Sequence, residues 1–197
     1  MINTDLLLCW GAIHRKYSKG QTIFYEDDEA LYYYQVEKGK VKMVNATEDG
    51  KEFIQGFFFD AESFGEPPLF EGCTYPASAV AEEDTTLLKL NKNSFLSLLK
   101  EYPEIHLQFT RLFAKRLRFK TMVSKELSCY GPEHRILTLI RHYKKNHQLP
   151  FSKRYKVDLT RQELADMTGL RVETVIRVLR QLHEKGEVII EKGKVYC

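Results

Sequence analysis

In the last quarter of the chain, Val175, Val178, Leu179 and Leu182 recur at i, i+3, i+4 and i+7 and define one inward stripe of a helix. Glu173 and Arg177, four residues apart, share a different face and point outward together. Just upstream, Thr160 and Glu163 form a T-x-x-E capping box, with Leu159 and Leu164 at the two positions of a hydrophobic staple. Gly169 suits the residue past a helix end, where the backbone turns left-handed. The pattern predicts two short helices broken at Gly169, the helix-turn-helix arrangement that sets its second helix in a DNA major groove. Beyond it, two short β-prone runs within Lys185–Cys197 flank Lys192-Gly193-Lys194, a small hairpin that makes the unit a winged helix. A plain helical hairpin followed by a β-hairpin satisfies the same periodicity, so the pattern alone leaves nucleic acid open.

The first ninety residues follow a different rhythm. Runs at Thr22–Tyr25, Leu31–Val36, Lys40–Val44, Glu52–Phe57 and Thr86–Leu90 are rich in aromatic and β-branched residues and are separated by turn formers. Glu48-Asp49-Gly50-Lys51 is a hairpin signal, because Asp-Gly accepts the backbone of a tight turn. Evenly spaced short strands predict a small barrel or roll. A long helix then begins near Tyr102-Pro103-Glu104, with proline and an acid in its first turn, and runs to about Leu127. Ile105, Phe109, Leu112, Arg116, Phe119 and Val123 recur at alternating spacings of four and three, a coiled-coil seam interrupted by one arginine. This seam has two partners open to it, the chain's own barrel or a second copy of the helix. The second predicts that charged residues at Phe109 and Phe119 produce monomers.

Charge adds a division to this picture. Residues 1–100 hold ten Lys/Arg against sixteen Asp/Glu, a net −6, whereas residues 101–197 carry +9, giving +3 for the 197-residue chain. An acidic module joined to a basic one suggests a sensing or scaffolding part attached to a polyanion binder. Lys144, Lys145, Lys153, Arg154, Lys156, Arg161 and Arg171 cluster around the helix-turn-helix, an electrostatic footprint for phosphates. A hydrophobic content of 43% places the chain among folded globular proteins. The apolar run near the N-terminus lacks a basic flank and is broken by Gly11 and His14, so it reads neither as a signal peptide nor as a membrane span. Four widely spaced cysteines make neither a metal pair nor a disulfide framework, and point to a reduced cytoplasmic setting.

A metal-dependent barrel enzyme needs clustered imidazole and carboxylate ligands. No histidine occurs between His14 and His106, so no metal site, cofactor or catalytic residue is expected. Cys129 and His134 flank Gly131-Pro132 with nothing to orient them as a nucleophile and base.

The order of parts, barrel, long helix and winged helix, resembles the Crp/Fnr family of bacterial transcription regulators over nearly the whole chain. Phe64-Gly65-Glu66-Pro67-Pro68-Leu69-Phe70 is similar to that family's phosphate-cassette segment, Thr160–Ala165 matches its helix-turn-helix, and Val172-Glu173-Thr174-x-x-Arg177 its recognition helix. The V-E-T-x-x-R form looks closer to the Fnr-like branch, since the cAMP-receptor branch carries arginine at the place of Val172. The resemblance implies an α+β architecture: a cyclic-nucleotide-binding-like β-roll or jelly roll over residues 1–100, a dimerisation helix over 101–128, and a winged helix-turn-helix over 129–197. It further implies a cytoplasmic homodimeric regulator bound to a palindromic double-stranded DNA operator, with RNA polymerase as a further candidate partner and no membrane association. The alternative is a ligand-binding signalling module whose winged helix contacts a protein.

The resemblance assigns base contacts to Glu173, Arg177, Val172 and Ile176, and phosphate contacts to Thr160, Arg161, Gln162, Arg171 and Thr174. Its effector pocket maps onto Glu66, Tyr75, Lys120 and Thr121. Here the sequence departs from the pattern. The Arg-Ser pair that neutralises a cyclic phosphate becomes Tyr75-Pro76, which removes the charge-assisted bonds to the anion. The adenine-contacting Thr-Ser becomes Lys120-Thr121, and Ile176 replaces a serine of the Fnr-like recognition helix. The cysteines of iron–sulfur sensors and a haem-ligating barrel histidine are missing as well. Cyclic AMP is therefore not the expected ligand, and the effector is an unidentified small molecule, a redox event at a cysteine, or none.

Overall fold

The computed structural model describes residues 1–47, 50, 52–146 and 155–197. The chain divides into two compact units, Met1–Ala114 and Lys115–Cys197.

The first unit opens with α1 (Thr4–Cys9), whose end is capped by the Asn3 side chain accepting from the amides of Asp5 and Leu6. Eight strands follow: β1 (Ile13–Tyr17), β2 (Thr22–Phe24), β3 (Tyr32–Lys38), β4 (Val41–Ala46), β5 (Glu52–Phe58), β6 (Ser63–Phe64), β7 (Ser78–Ala81) and β8 (Thr85–Asn91). They form two antiparallel four-stranded sheets, ordered β1-β8-β3-β6 and β2-β7-β4-β5. The short helix α2 (Pro67–Glu71) lies between β6 and β7, and α3 (Lys92–Glu101) and α4 (Pro103–Cys129) follow β8. The five strands expected from the sequence are all present. β1, β6 and β7 were not legible, because β1 is mostly exposed, β6 has two residues and β7 is Ser-Ala-Val-Ala. Of the expected 48–51 turn only Gly50 lies within the described residues, and its φ is +74°.

β3 explains why the first half of α4 belongs to this unit. Tyr33, Tyr34, Gln35 and Val36 are all buried, so both faces of the strand are covered. Tyr34 packs on Phe24 and Phe64, with ring centroids 5.7 and 5.6 Å away. Tyr33, on the opposite face, stacks on Phe95 of α3 at 4.4 Å and meets Phe109 of α4 edge-on at 5.9 Å. The boundary between units therefore falls inside the long helix rather than before it.

This corrects the expected dimer seam. Ile105 and Phe109 are only 8% and 2% exposed and sit in the core of their own β-roll unit, with Leu112 packed against it. In the second unit Phe119 stacks on His142 at 3.9 Å, and Val123 lines a small recess with Leu139 and Met167. The 4-3 spacing is real, but this face packs within the chain.

The second unit continues α4 into α5 (Pro132–Asn146), α6 (Arg161–Thr168), α7 (Val172–Glu184), β9 (Ile189–Glu191) and β10 (Lys194–Tyr196). The last carbonyls of α4 are taken up by Arg135, whose Nε and Nη2 donate to the carbonyls of Tyr130 and Leu127, each at 2.7 Å. Glu126 is buried beside the recess, its Oε2 3.0 Å from His134 Nε2. β9 and β10 pair antiparallel, Glu191 opposite Lys194, across Lys192-Gly193. Both turn residues have positive φ, +47° and +75°, the backbone of a two-residue hairpin that matches strand twist. Residues 155–157 join this wing through mutual backbone bonds between Tyr155 and Cys197 and a bond from the Val157 amide to the Val195 carbonyl.

Candidate nucleic-acid interface

The helix-turn-helix is built by local chemistry. The Thr160 hydroxyl accepts from the Glu163 amide at 3.0 Å, and the Glu163 carboxylate accepts from the Thr160 amide at 2.6 Å, which completes the capping box. Leu159 and Leu164, the staple pair, are both buried. α6 stops at Gly169, whose φ of +64° a side chain adopts only with strain. After the turn, Arg171 in extended conformation starts α7.

α7 buries Val175, Val178, Leu179 and Leu182, the stripe expected from the sequence. With 100° per residue, the opposite face carries Glu173, Ile176, Arg177 and Arg180, all exposed. Val172 and Thr174 are half-buried at its margins. Arg177 offers a planar two-donor fork suited to guanine, and Glu173 accepts where a cytosine amine donates. Ile176, 37% exposed among charged neighbours, presents an apolar surface to solvent.

Of the residues expected at phosphates, Arg171, Gln162 and Thr160 are exposed, and Arg161 is half-buried. The Gln162 amide is engaged by Asp166 Oδ1 at 2.8 Å, and the Thr160 amide and hydroxyl serve the capping box. Several basic side chains nearby already hold an acid: Lys185 pairs with Glu133 at 2.7 Å, Arg141 with Glu187 at 2.9 Å and Lys156 with Asp158 at 2.5 Å. Lys153 and Arg154 lie outside the described residues. Arg180 was missed by the sequence reading. The signal was present, since it falls three residues after Arg177 on the same outward face.

The candidate effector residues divide between the units. Glu66 and Tyr75 are both fully or nearly fully buried in the β-roll. Glu66 accepts a short hydrogen bond from the Ser63 hydroxyl. Tyr75 lies flat on Phe24 and donates its hydroxyl to the Tyr32 carbonyl at 3.2 Å. Burial pushes its phenol well above the ordinary range, and the nearby Asp28 and Glu66 charges push the same way. Gly65, with φ +69°, leaves so little room that a Cβ there would come within 3.0 Å of the Phe24 ring and 3.1 Å of Tyr75. Stacked rings thus occupy the interior beside Glu66. Lys120 and Thr121 are exposed on α4 in the second unit. Among the described residues no group of three or more His, Cys, Asp or Glu could hold a metal ion.

Residues 14–102 match the model of the cyclic nucleotide-binding domain, and residues 134–196 match that of the Crp-like helix-turn-helix domain. The cyclic AMP receptor protein of Thermus thermophilus is 32% identical over 181 residues, covering 92% of this chain and 82% of that protein. The chain belongs to the Crp/Fnr family of transcription regulators. It is a DNA-binding regulator of transcription, with a cyclic-nucleotide-binding-like roll and a winged helix-turn-helix. The transcriptional activator protein anr of Pseudomonas aeruginosa is 27% identical, covering 92% of this regulator and 75% of its own length. In fold the regulator resembles FixK2 from Bradyrhizobium japonicum, with a TM-score of 0.78 over 94% of this chain and 91% of that one, at 24% identity.

Proposed function

We propose that this Crp/Fnr regulator binds a palindromic operator as a homodimer, reading bases through Glu173, Ile176, Arg177 and Val172. Arg171, Arg161, Gln162, Thr160 and Thr174 set its position on the phosphates. The observation that carries this reading is the exposed Glu173–Arg177–Arg180 face of α7, set over a buried stripe and behind a fully capped α6. Arg180 joins the set as a further DNA contact. RNA polymerase is the remaining partner that such a regulator implies, and the protein acts by binding rather than by catalysis.

The dimer forms along α4 on a different face from the one expected. Leu107, Thr110, Ala114, Leu117, Thr121 and Ser124 recur at spacings of three and four, and all are exposed, Leu117 by 70%. Two copies joined there are related by a two-fold axis, as a two-fold operator demands. A cytoplasmic location is consistent with four cysteines in thiol form and with no described helix long and apolar enough to cross a membrane. Cyclic AMP is not the effector, because Tyr75 fills the interior where the cyclic phosphate would be neutralised.

Selection of genomic fragments with the purified chain, followed by footprinting, tests this reading. A protected two-fold symmetric site with affinity falling steeply as salt rises is expected. Absence of protection on every selected fragment would overturn it.

A further inference from the structure

The outward face of α7 is not uniformly polar. Ile176 is 37% exposed, three residues after the exposed Glu173 and four after the half-buried Val172. An apolar margin thus runs beside a carboxylate, with Cβ atoms at such spacings about 5–6 Å apart. Single apolar side chains are common on protein surfaces. This one lies on the second helix of the helix-turn-helix in a DNA-binding regulator, where its apolar surface needs an apolar group of DNA. The major groove offers one, the C5 methyl group that thymine carries. Glu173 adds a second constraint. An anionic side chain is repelled by phosphates and is tolerated where it accepts from a base amine such as cytosine N4. On cytosine the N4 amine and C5 stand on neighbouring ring carbons of the same major-groove edge. An acceptor and an apolar side chain one helical turn apart therefore match that edge when C5 is methylated.

On the base readout above, we propose that Glu173 and Ile176, with Val172 beside them, recognise 5-methylcytosine, so that methylating one cytosine per half-site tightens operator binding. The site exists only if that readout holds. Glu173 selects the base through N4, which methylation leaves intact, and Ile176 takes the methyl group out of water. The same isoleucine serves a neighbouring thymine, because successive pyrimidines present their C5 positions one base step apart along the groove. Arg177 keeps guanine, whose O6 and N7 do not change when its partner is methylated. A covalent mark on the operator thereby becomes an input to the regulator, separate from any ligand of the roll.

Competition titrations of the full chain on the selected operator test this, with each cytosine replaced in turn by 5-methylcytosine in both half-sites. One position is expected to bind about threefold to fivefold more tightly per half-site, the worth of one buried methyl group. Ile176→Ser should lose this gain and Ile176→Val should keep it. A T·A pair at that position keeps the methyl group but presents O4 in place of N4, and should bind more weakly than unmodified C·G. Equal binding of T·A and methylated C·G would make the position a plain thymine site and reject the proposal. Deoxyuridine in place of the operator's thymines forms the control arm. Weakening there, with no gain at any methylated cytosine, would overturn the proposal and leave the base readout standing. Failure to prefer any operator over random DNA would overturn both. A gain retained by Ile176→Ser, with an unchanged far-UV spectrum, would also reject the site.

Discussion

Tyr75 lies on Phe24 with ring centroids 3.6 Å apart and planes 10° from parallel. The contact joins the segment between α2 and β7 to β2, and it fills the interior of the roll beside Glu66 with the chain's own side chains. Tyr75-Pro76 supplies no guanidinium for a cyclic phosphate. Millimolar cyclic AMP is therefore expected to leave the melting temperature unchanged, where a tight ligand would raise it. Tyr75→Ala should destabilise the roll by about 3–5 kcal/mol, as other large-to-small aromatic truncations do. A clear rise in melting temperature with cyclic AMP would show that the stack yields.

The two faces of α4 give opposite outcomes for similar substitutions. On the proposed seam Leu117→Asp puts two carboxylates across the two-fold axis and should yield a folded monomer by sedimentation, with specific DNA affinity reduced. Phe109→Asp buries a charge against Tyr33 and Phe95 and should instead unfold the β-roll. A folded monomer from Phe109→Asp, with Leu117→Asp still dimeric, would restore the seam first expected from the sequence.

His142 introduces a pH dependence. Its ring is stacked on Phe119, and burial lowers its pKa below the usual range, helped by the Lys115 and Lys145 charges. The unfolded chain then binds this proton more readily than the folded one. The stability that neutral His142 contributes is present above its unfolded pKa, ~6.5, and is lost as pH falls through the lowered folded value. His142→Phe keeps an aromatic ring on Phe119 without the titrating group. The variant is expected to lose less melting temperature than wild type between pH ~7 and ~5. Parallel curves for the two proteins would place the acid sensitivity elsewhere.

The helix-turn-helix was legible because its determinants are local: a capping box, a staple, a left-handed glycine and a 3.6-residue stripe all lie within 24 residues of Leu159. The same holds for the wing. The long helix was legible in extent but not in orientation. The large apolar residues Phe109 and Phe119 pack within the chain itself, while the outward row of Leu107, Thr110, Ala114 and Leu117 is too mixed in character to stand out. Arg116 on the supposed seam was the available warning. The Tyr75–Phe24 stack was beyond sequence reasoning, since it joins residues 51 positions apart and no periodicity links them. The loss of a phosphate-binding pair was readable at Tyr75-Pro76, but the occupation of the space was not.

In the proposed readout, Arg177 and Arg171 take different roles. Both are exposed, but Arg177 sits mid-face on α7 beside Glu173 and Ile176, whereas Arg171 is the residue that starts the helix. Outward residues of the first turns of a recognition helix reach base edges, and a residue at the N-cap, outside the helix proper, is placed to meet the phosphates. Arg177→Ala should then cost about 1–3 kcal/mol on the cognate operator and relax the preference at one base pair per half-site. Arg171→Ala should weaken all sequences alike and reduce the salt slope by about one unit. Arg180→Ala, one turn beyond Arg177, is expected to behave like Arg171→Ala, because its position toward the C-terminal half of α7 favours the phosphates flanking the groove. Ile176→Ser removes the apolar surface, so replacing thymine by deoxyuridine in the operator should weaken wild type and leave this variant unaffected. Competition titrations against the cognate site, single-base variants and random DNA check all four. Equal loss on specific and random DNA for Arg177→Ala would make that arginine a phosphate contact and remove it from the reading set.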